Sequence, residues 1–149
     1  MSTNSEQYLW NFLYSLAFAG FALLLANTLI QVHGVLPTSI SFFDFVLLAL
    51  ATFRLIRLFV YDKITLFIRE PLASFSRGPL KTFSDLLCCP WCFGIWSALV
   101  VSFFYFLTPL SWFFILALAL SGIASFLQIL INMIGWKAEQ LKREVQGKN

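Results

Sequence analysis

Charge is what this chain has least of. Its 149 residues include 10 Lys and Arg and 7 Asp and Glu. Charged side chains are therefore 11% of the sequence, against roughly 25% in a soluble domain. A single histidine, His33, has no acid near it in sequence, which excludes a serine–histidine–acid constellation. Glycine-rich phosphate loops and an HExxH metalloprotease signature are both absent. Enzymes with ordinary acid–base machinery are thereby disfavoured. The bases lie beside apolar runs and not along a groove-sized face, which argues against a nucleic-acid partner. The start, MSTNSEQ, has no basic n-region, and the apolar run after it is too long for a signal-peptide core. That run is expected to be a retained span.

What fills the chain instead is hydrocarbon: 60% of positions are hydrophobic and 18 are Phe. A soluble fold of this size has too little interior for that surface. The expectation is an all-α polytopic membrane protein, one domain over 1–149, with the lipid bilayer as its main partner. Four transmembrane helices are expected, at 8–34, 42–61, 88–107 and 110–134. The first and last are uncharged runs long enough for the roughly 20 residues that cross the hydrocarbon. The second carries Asp44 near one end and Arg54 and Arg57 near the other, where arginine stems can snorkel to the headgroups. In the third, Pro90 suits a first helical turn, where a missing N–H costs nothing. Thr108-Pro109 forces a short turn and an antiparallel hairpin into the fourth. Between spans two and three, Ile64, Phe67, Ile68, Leu72 and Phe75 recur at helical spacing among polar residues. This pattern predicts an interfacial amphipathic helix over 62–75, with a turn at SRGPLK after it.

Orientation follows from the bases. The 31–41 loop and the 108–111 turn have none. Lys63, Arg69, Arg77 and Lys81 lie in the middle segment, and Lys137, Lys142, Arg143 and Lys148 in the 135–149 tail. The positive-inside rule puts both basic segments, the interfacial helix and both termini in the cytoplasm, with the chain in the cell membrane.

All three cysteines lie in LCCPWCFG, Cys88, Cys89 and Cys92. Three readings compete. A reducing compartment disfavours a permanent disulfide, yet the Cys89-Pro90-Trp91-Cys92 spacing at a helix start suits thiol–disulfide exchange. The same pair supplies half of a tetrahedral zinc site, which needs four ligands. Cys88 adjoins Cys89 and makes an awkward third ligand, so a homodimer pooling two pairs would complete the set. The plainest reading is packing, with Pro90, Trp91, Gly94 and Trp96 setting a tight local structure.

Arg54, Arg57 and Tyr61 share one broad helix face and form a candidate site for an anion or lipid headgroup. The alternative is a salt bridge to Asp62, Glu70 or Asp85. Asp44, an intramembrane polar residue near the opposite face, would combine with the arginines only in a small-solute or ion path.

Two stretches, FFDFVLLALATFRLIRLFVYDKI and LLCCPWCFGIW, resemble the DUF1360 family of small bacterial membrane proteins of unknown function. The resemblance runs over about positions 42 to 134. It carries Asp44, Arg54, Arg57, Tyr61 and Asp62, then Cys89, Pro90, Trp91, Cys92, Gly94 and Trp96. Cys88 and Phe93 depart from the family pattern, which makes Cys88 the thiol least needed. The first span falls outside the shared part. The resemblance implies no activity, so the expected role is a structural or accessory one. Metal-binding, thiol-redox and transport roles stand as alternatives.

Overall fold

The computed structural model describes residues 3–35 and 39–146. The stretch 36–38 of the uncharged loop, and Lys148 of the basic tail, lie outside the described residues. Six α-helices make up the structure, and no strand occurs among the described residues. They are α1 (Thr3–His33), α2 (Phe42–Ile56), α3 (Leu66–Ala73), α4 (Pro79–Cys88), α5 (Pro90–Leu107) and α6 (Ser111–Gln146). Three of them, α1, α5 and α6, are long and apolar enough to cross a membrane.

The centre of the bundle is α2, clasped by α5 and α6. Leu47, Leu48 and Ala51 of α2 meet Val101 of α5 and Ile115 and Ala119 of α6 in one buried cluster. The buried face of α6 is Ser111, Ile115, Ala119 and Gly122, a helical repeat of mostly small residues. Small side chains let backbones approach, and dispersion and close packing then replace the hydrophobic drive that lipid cannot supply. At Gly122 the approach is so close that a Cβ would stand 2.6 Å from the Leu50 carbonyl oxygen. One level further along, Phe53 meets Phe126 edge-on. These pairings make α2 and α6 run parallel.

Against them α5 runs antiparallel. Gly94 lies under the Ile56 side chain, and Phe93 meets Phe59. At the other end of α5, the Tyr105 hydroxyl faces the Asp44 carboxylate. Helix α1 packs on α4 and α5. Phe18 and Phe21 bracket Trp96, and His33 bonds the Phe106 carbonyl at 2.6 Å, so α1 and α5 are parallel. Gly34, with φ of 80°, then ends α1 in the left-handed conformation, its N–H returning to the Ile30 carbonyl.

The segment between α2 and α5 differs from the single helix expected over 62–75. After Ile56 the helix widens into one π-turn, Arg57–Tyr61, closed by Asp62 N–H to the Arg57 carbonyl. Asp62 is extended, Lys63–Thr65 form a 3₁₀ turn, and α3 follows. SRGPLK is not all turn, because Pro79 occupies the first turn of α4, where proline is at home. Leu86 to Cys88 belong to α4 and not to the next span. Cys89 is extended, as the residue before a proline tends to be, and this separates α4 from α5.

Outside the small core, large apolar side chains face outward all round, among them Leu23, Phe42, Phe113 and Trp91. Exposure of that extent marks a surface made for lipid or partners and not for water. The 36 residues of α6 extend about 54 Å at 1.5 Å per residue. That exceeds a hydrocarbon core of about 30 Å, so the polar tail is a continuation of the helix past the bundle.

Candidate functional site at the polar end of the bundle

The helix directions bring the start of α1, the π-turn, α3, α4 and the start of α5 to one end. Two clusters form there. The first is built round the end of α2. A helix terminus leaves its last carbonyls without partners, and here that terminus is widened and half-buried. The Thr65 hydroxyl lies within reach of the carbonyls of Leu58 (2.8 Å), Phe59 (3.2 Å) and Asp62 (3.2 Å). Arg69 donates to the Val60 carbonyl and, at 2.8 Å, to that of Asp62. The freed carbonyls are thereby answered by side chains from beyond the break.

Arg54 completes this cluster. Of the acids that sequence offers it, the structure pairs it with Asp62, Nη1 to Oδ2 at 2.9 Å. It also donates to Ser125 Oγ at 3.1 Å, and Ser125 in turn donates to the Ser121 carbonyl at 2.8 Å. Arg54 thus ties α2 to α6 and to the residue that ends the π-turn. Arg57 takes another direction, with its guanidinium 5.5 Å from the Tyr61 ring centre, a cation–π distance. Its Nε is buried without a partner. Of the three residues of the expected anion site, Arg57 and Tyr61 are thus brought together, while Arg54 is engaged by Asp62 and Ser125. Asp44 is at the opposite end, beside Tyr105.

The second cluster holds the thiols. All three cysteines are free. Cys89 caps α5 through sulfur, its Sγ accepting from the Cys92 backbone N–H at 3.4 Å. The Cys92 thiol bonds the same sulfur, and these contacts hold the Cys89 thiol below its ordinary range against a smaller opposing effect of burial. Both sulfurs line a cavity of about 460 Å³ between α1, α4 and α5, together with Asn11, Ser15, Thr82 and Asp85. Cys88 is exposed at the end of α4 and does not line it. Lys81 pairs with Asp85. Thr82 is the buried hinge of this wall, receiving Gln7 at 2.6 Å and donating to Asn11 at 3.1 Å. Tyr14 donates to the Pro79 carbonyl at 3.2 Å.

Trp96, Tyr14 and Leu86 separate this cavity from a second one of about 390 Å³, lined by Phe59, Phe83, Phe93 and Ser97. Trp91 points outward and is 85% exposed, so it does not help to pack the thiols. Gly94 instead lets α5 pack on α2, since a Cβ there would be 3.3 Å from Ile56. Among the described residues, no group of three or more His, Cys, Asp or Glu converges as a metal site. Thr65, Arg69, Thr82 and Ser125 escape a reading of the sequence. Their partners are carbonyls or side chains on other helices, and only their polarity within apolar surroundings could have flagged them.

No curated protein and no solved structure matches the chain. A family model described as "Protein of unknown function (DUF1360)" matches residues 47–81 and 74–131, more than half of the chain. The matched stretch contains Arg54, Asp62, Thr65, Arg69, Cys89, Cys92 and Gly122, while α1 and Asp44 lie outside it. Most of α2 and α6 and all of α5, with the Arg54 cluster and the thiols, are therefore the part that the family model covers, and the chain belongs to the DUF1360 family.

Proposed function

We propose that this is a four-span integral membrane protein with a structural or accessory role, and that its polar end faces the cytoplasm. One observation carries the proposal: every described Lys and Arg lies at the same end of the bundle or on the α6 extension beyond it. The opposite end has His33, Asp44 and no lysine or arginine. Helix directions alternate through α1, α2, α5 and α6, as four successive crossings require. The run from 42 to 61 is helical throughout and supplies the second crossing, with Arg54 near its cytoplasmic end. α3 and α4 then lie along that interface, with Ile64, Phe67 and Phe75 toward lipid and Lys63, Glu70 and Arg77 toward water.

The test is labelling of single-cysteine variants with an impermeant maleimide. Thr108→Cys is expected to react in intact cells, and Leu141→Cys only after permeabilisation. Leu141→Cys reacting in intact cells would overturn the orientation.

A second reading concerns the thiols. The shared cavity and the Cys92 N–H that holds Cys89 Sγ favour Cys89 and Cys92 acting as one dithiol, with Cys88 apart from it. A trivalent arsenical such as phenylarsine oxide bridges two nearby sulfurs. One equivalent is expected to bind per chain, retained in Cys88→Ser and lost in Cys89→Ser and Cys92→Ser. Equal binding in all four proteins would refute the dithiol.

A further inference from the structure

We infer that Cys89 and Cys92 together hold one soft monovalent cation, Cu(I), as a two-coordinate bis-thiolate at the polar end of the bundle. The inference rests on the dithiol reading above and names its ligand. Cys89 caps α5 and Cys92 stands on its first turn, both line the same cavity, and the Cys92 N–H holds Cys89 Sγ over the start of the helix.

The donor inventory decides which ion such a site takes. Among the described residues no third Cys, His, Asp or Glu converges on the pair. Asp85 shares the cavity but is paired with Lys81. Cys88 lies outside the lining, and His33 is at the far end against the Phe106 carbonyl. A closed structural zinc site takes four ligands, and calcium and magnesium take oxygen. Thiolates select soft ions, and among these Cu(I) is content with two donors. Zinc on the same pair would need two further ligands, and Asp85, the acid in that wall, is held by Lys81.

Charge points the same way. Two thiolates and one Cu(I) sum to a single negative charge, which the N-terminus of the 18-residue α5 favours. Loading is ligand exchange without electron transfer: two thiols and one Cu(I) give the bis-thiolate complex and two protons. Cys92 is exposed and Cys89 half-buried, so an incoming thiol carrier has a sulfur to approach and a held one to leave.

The experiment is an anaerobic titration of the reduced, detergent-purified full chain with Cu(I) against a chromophoric Cu(I) chelator. The expected result is one Cu(I) per chain at the elution volume of the unloaded protein. Loss of a direct ligand should exceed the effect of an outer partner, so Cys89→Ser and Cys92→Ser are each expected to weaken binding by roughly 100-fold or more. Cys88→Ser is expected to bind as the parent does. Circular dichroism and elution volume of each variant separate lost ligation from lost folding. Half an equivalent of zinc per chain, bound only as a dimer, would overturn the assignment to Cu(I) while keeping the dithiol. Failure to take up Cu(I) in a protein that still binds the arsenical would overturn this inference alone. Equal weakening in Cys88→Ser would overturn the choice of sulfurs.

Discussion

Helices α2 and α6 approach until the Leu50 carbonyl leaves no room for a Cβ at Gly122, whereas α1 reaches its neighbours through long side chains. The first contact is backbone on side-chain-free backbone, backed by Ala51 and Ala119 in the buried cluster. The second is a bracket of Phe18 and Phe21 on Trp96, with Gln7, Asn11 and Tyr14 hydrogen-bonded to α4. The family model matches the tight half and omits α1. Close approach demands particular residues at particular positions. An aromatic bracket can be made by many residues and can be added to a bundle that already stands.

The sharpest way to break this contrast is Gly122→Leu. A side chain there cannot be housed by rotamer change, because the obstacle is a carbonyl on the next helix. Overpacking of well-packed cores costs about 1–3 kcal/mol, and more where backbone must move. The expected loss is about 3 kcal/mol or more, read as a fall in the thermal or denaturant midpoint in detergent. An unchanged midpoint would mean that α2 and α6 are less closely held than the structure has them.

Arg54→Ala comes next. The pair keeps some exposure, 20% and 28% for the two side chains, so the 3–5 kcal/mol typical of breaking a buried pair is an upper bound. A loss of about 2–3 kcal/mol is expected. Asp62→Ala alone should cost less, since Arg54 retains Ser125. In the double-mutant cycle, the combined variant should be more stable than the sum of the single losses. Strict additivity would show that the ion pair contributes nothing.

Much of this was legible beforehand and some was not, for physical reasons. Long uncharged runs announce helices because nothing else satisfies the backbone in lipid. Arg54 and Asp62 could be suspected as partners because both lie at one helix end. The π-turn could not be seen. It arises where Thr65 and Arg69 offer donors to carbonyls six to nine residues back across the break in the helix. That is a tertiary bargain without a periodic signature. The turn at SRGPLK is legible after the helix expected over 62–75, but α4 is not, because Pro79 reads equally as turn or helix start. Thr82 illustrates the limit best, since both of its α1 partners lie more than seventy residues away in sequence.

Trp96→Ala sharpens the comparison from the weaker side. Each aromatic pair is worth about 0.5–1.5 kcal/mol beyond its area, so α1 docking should lose about 1–3 kcal/mol. The α2–α6 contact is untouched. The expected signature is therefore two transitions in place of one. Protease sensitivity should rise at the junction after Gly34, while the remaining helices keep their midpoint. A single, wholly lowered transition would show that α1 is an integral part of the bundle and would erase the distinction between its two halves.

The smallest expected effect is electrostatic and local to the thiols. Cys89 is held below the ordinary thiol range first by the Cys92 thiol and then by backbone N–H groups. The thiolate is the reactive form, so alkylation of Cys89 should persist to lower pH than that of a free thiol. In Cys92→Ala the leading donor is gone and only the backbone contacts remain, so the reactivity midpoint should move up toward the ordinary value. Cys88 serves as an internal control because it is more exposed and lies outside the cavity. Should Cys88 outpace Cys89 at acid pH, exposure and not thiolate character would govern the cluster. An unmoved midpoint in Cys92→Ala would mean that the α5 N-terminus acts on Cys89 without its neighbour, and the two sulfurs would then be separate groups and not a pair.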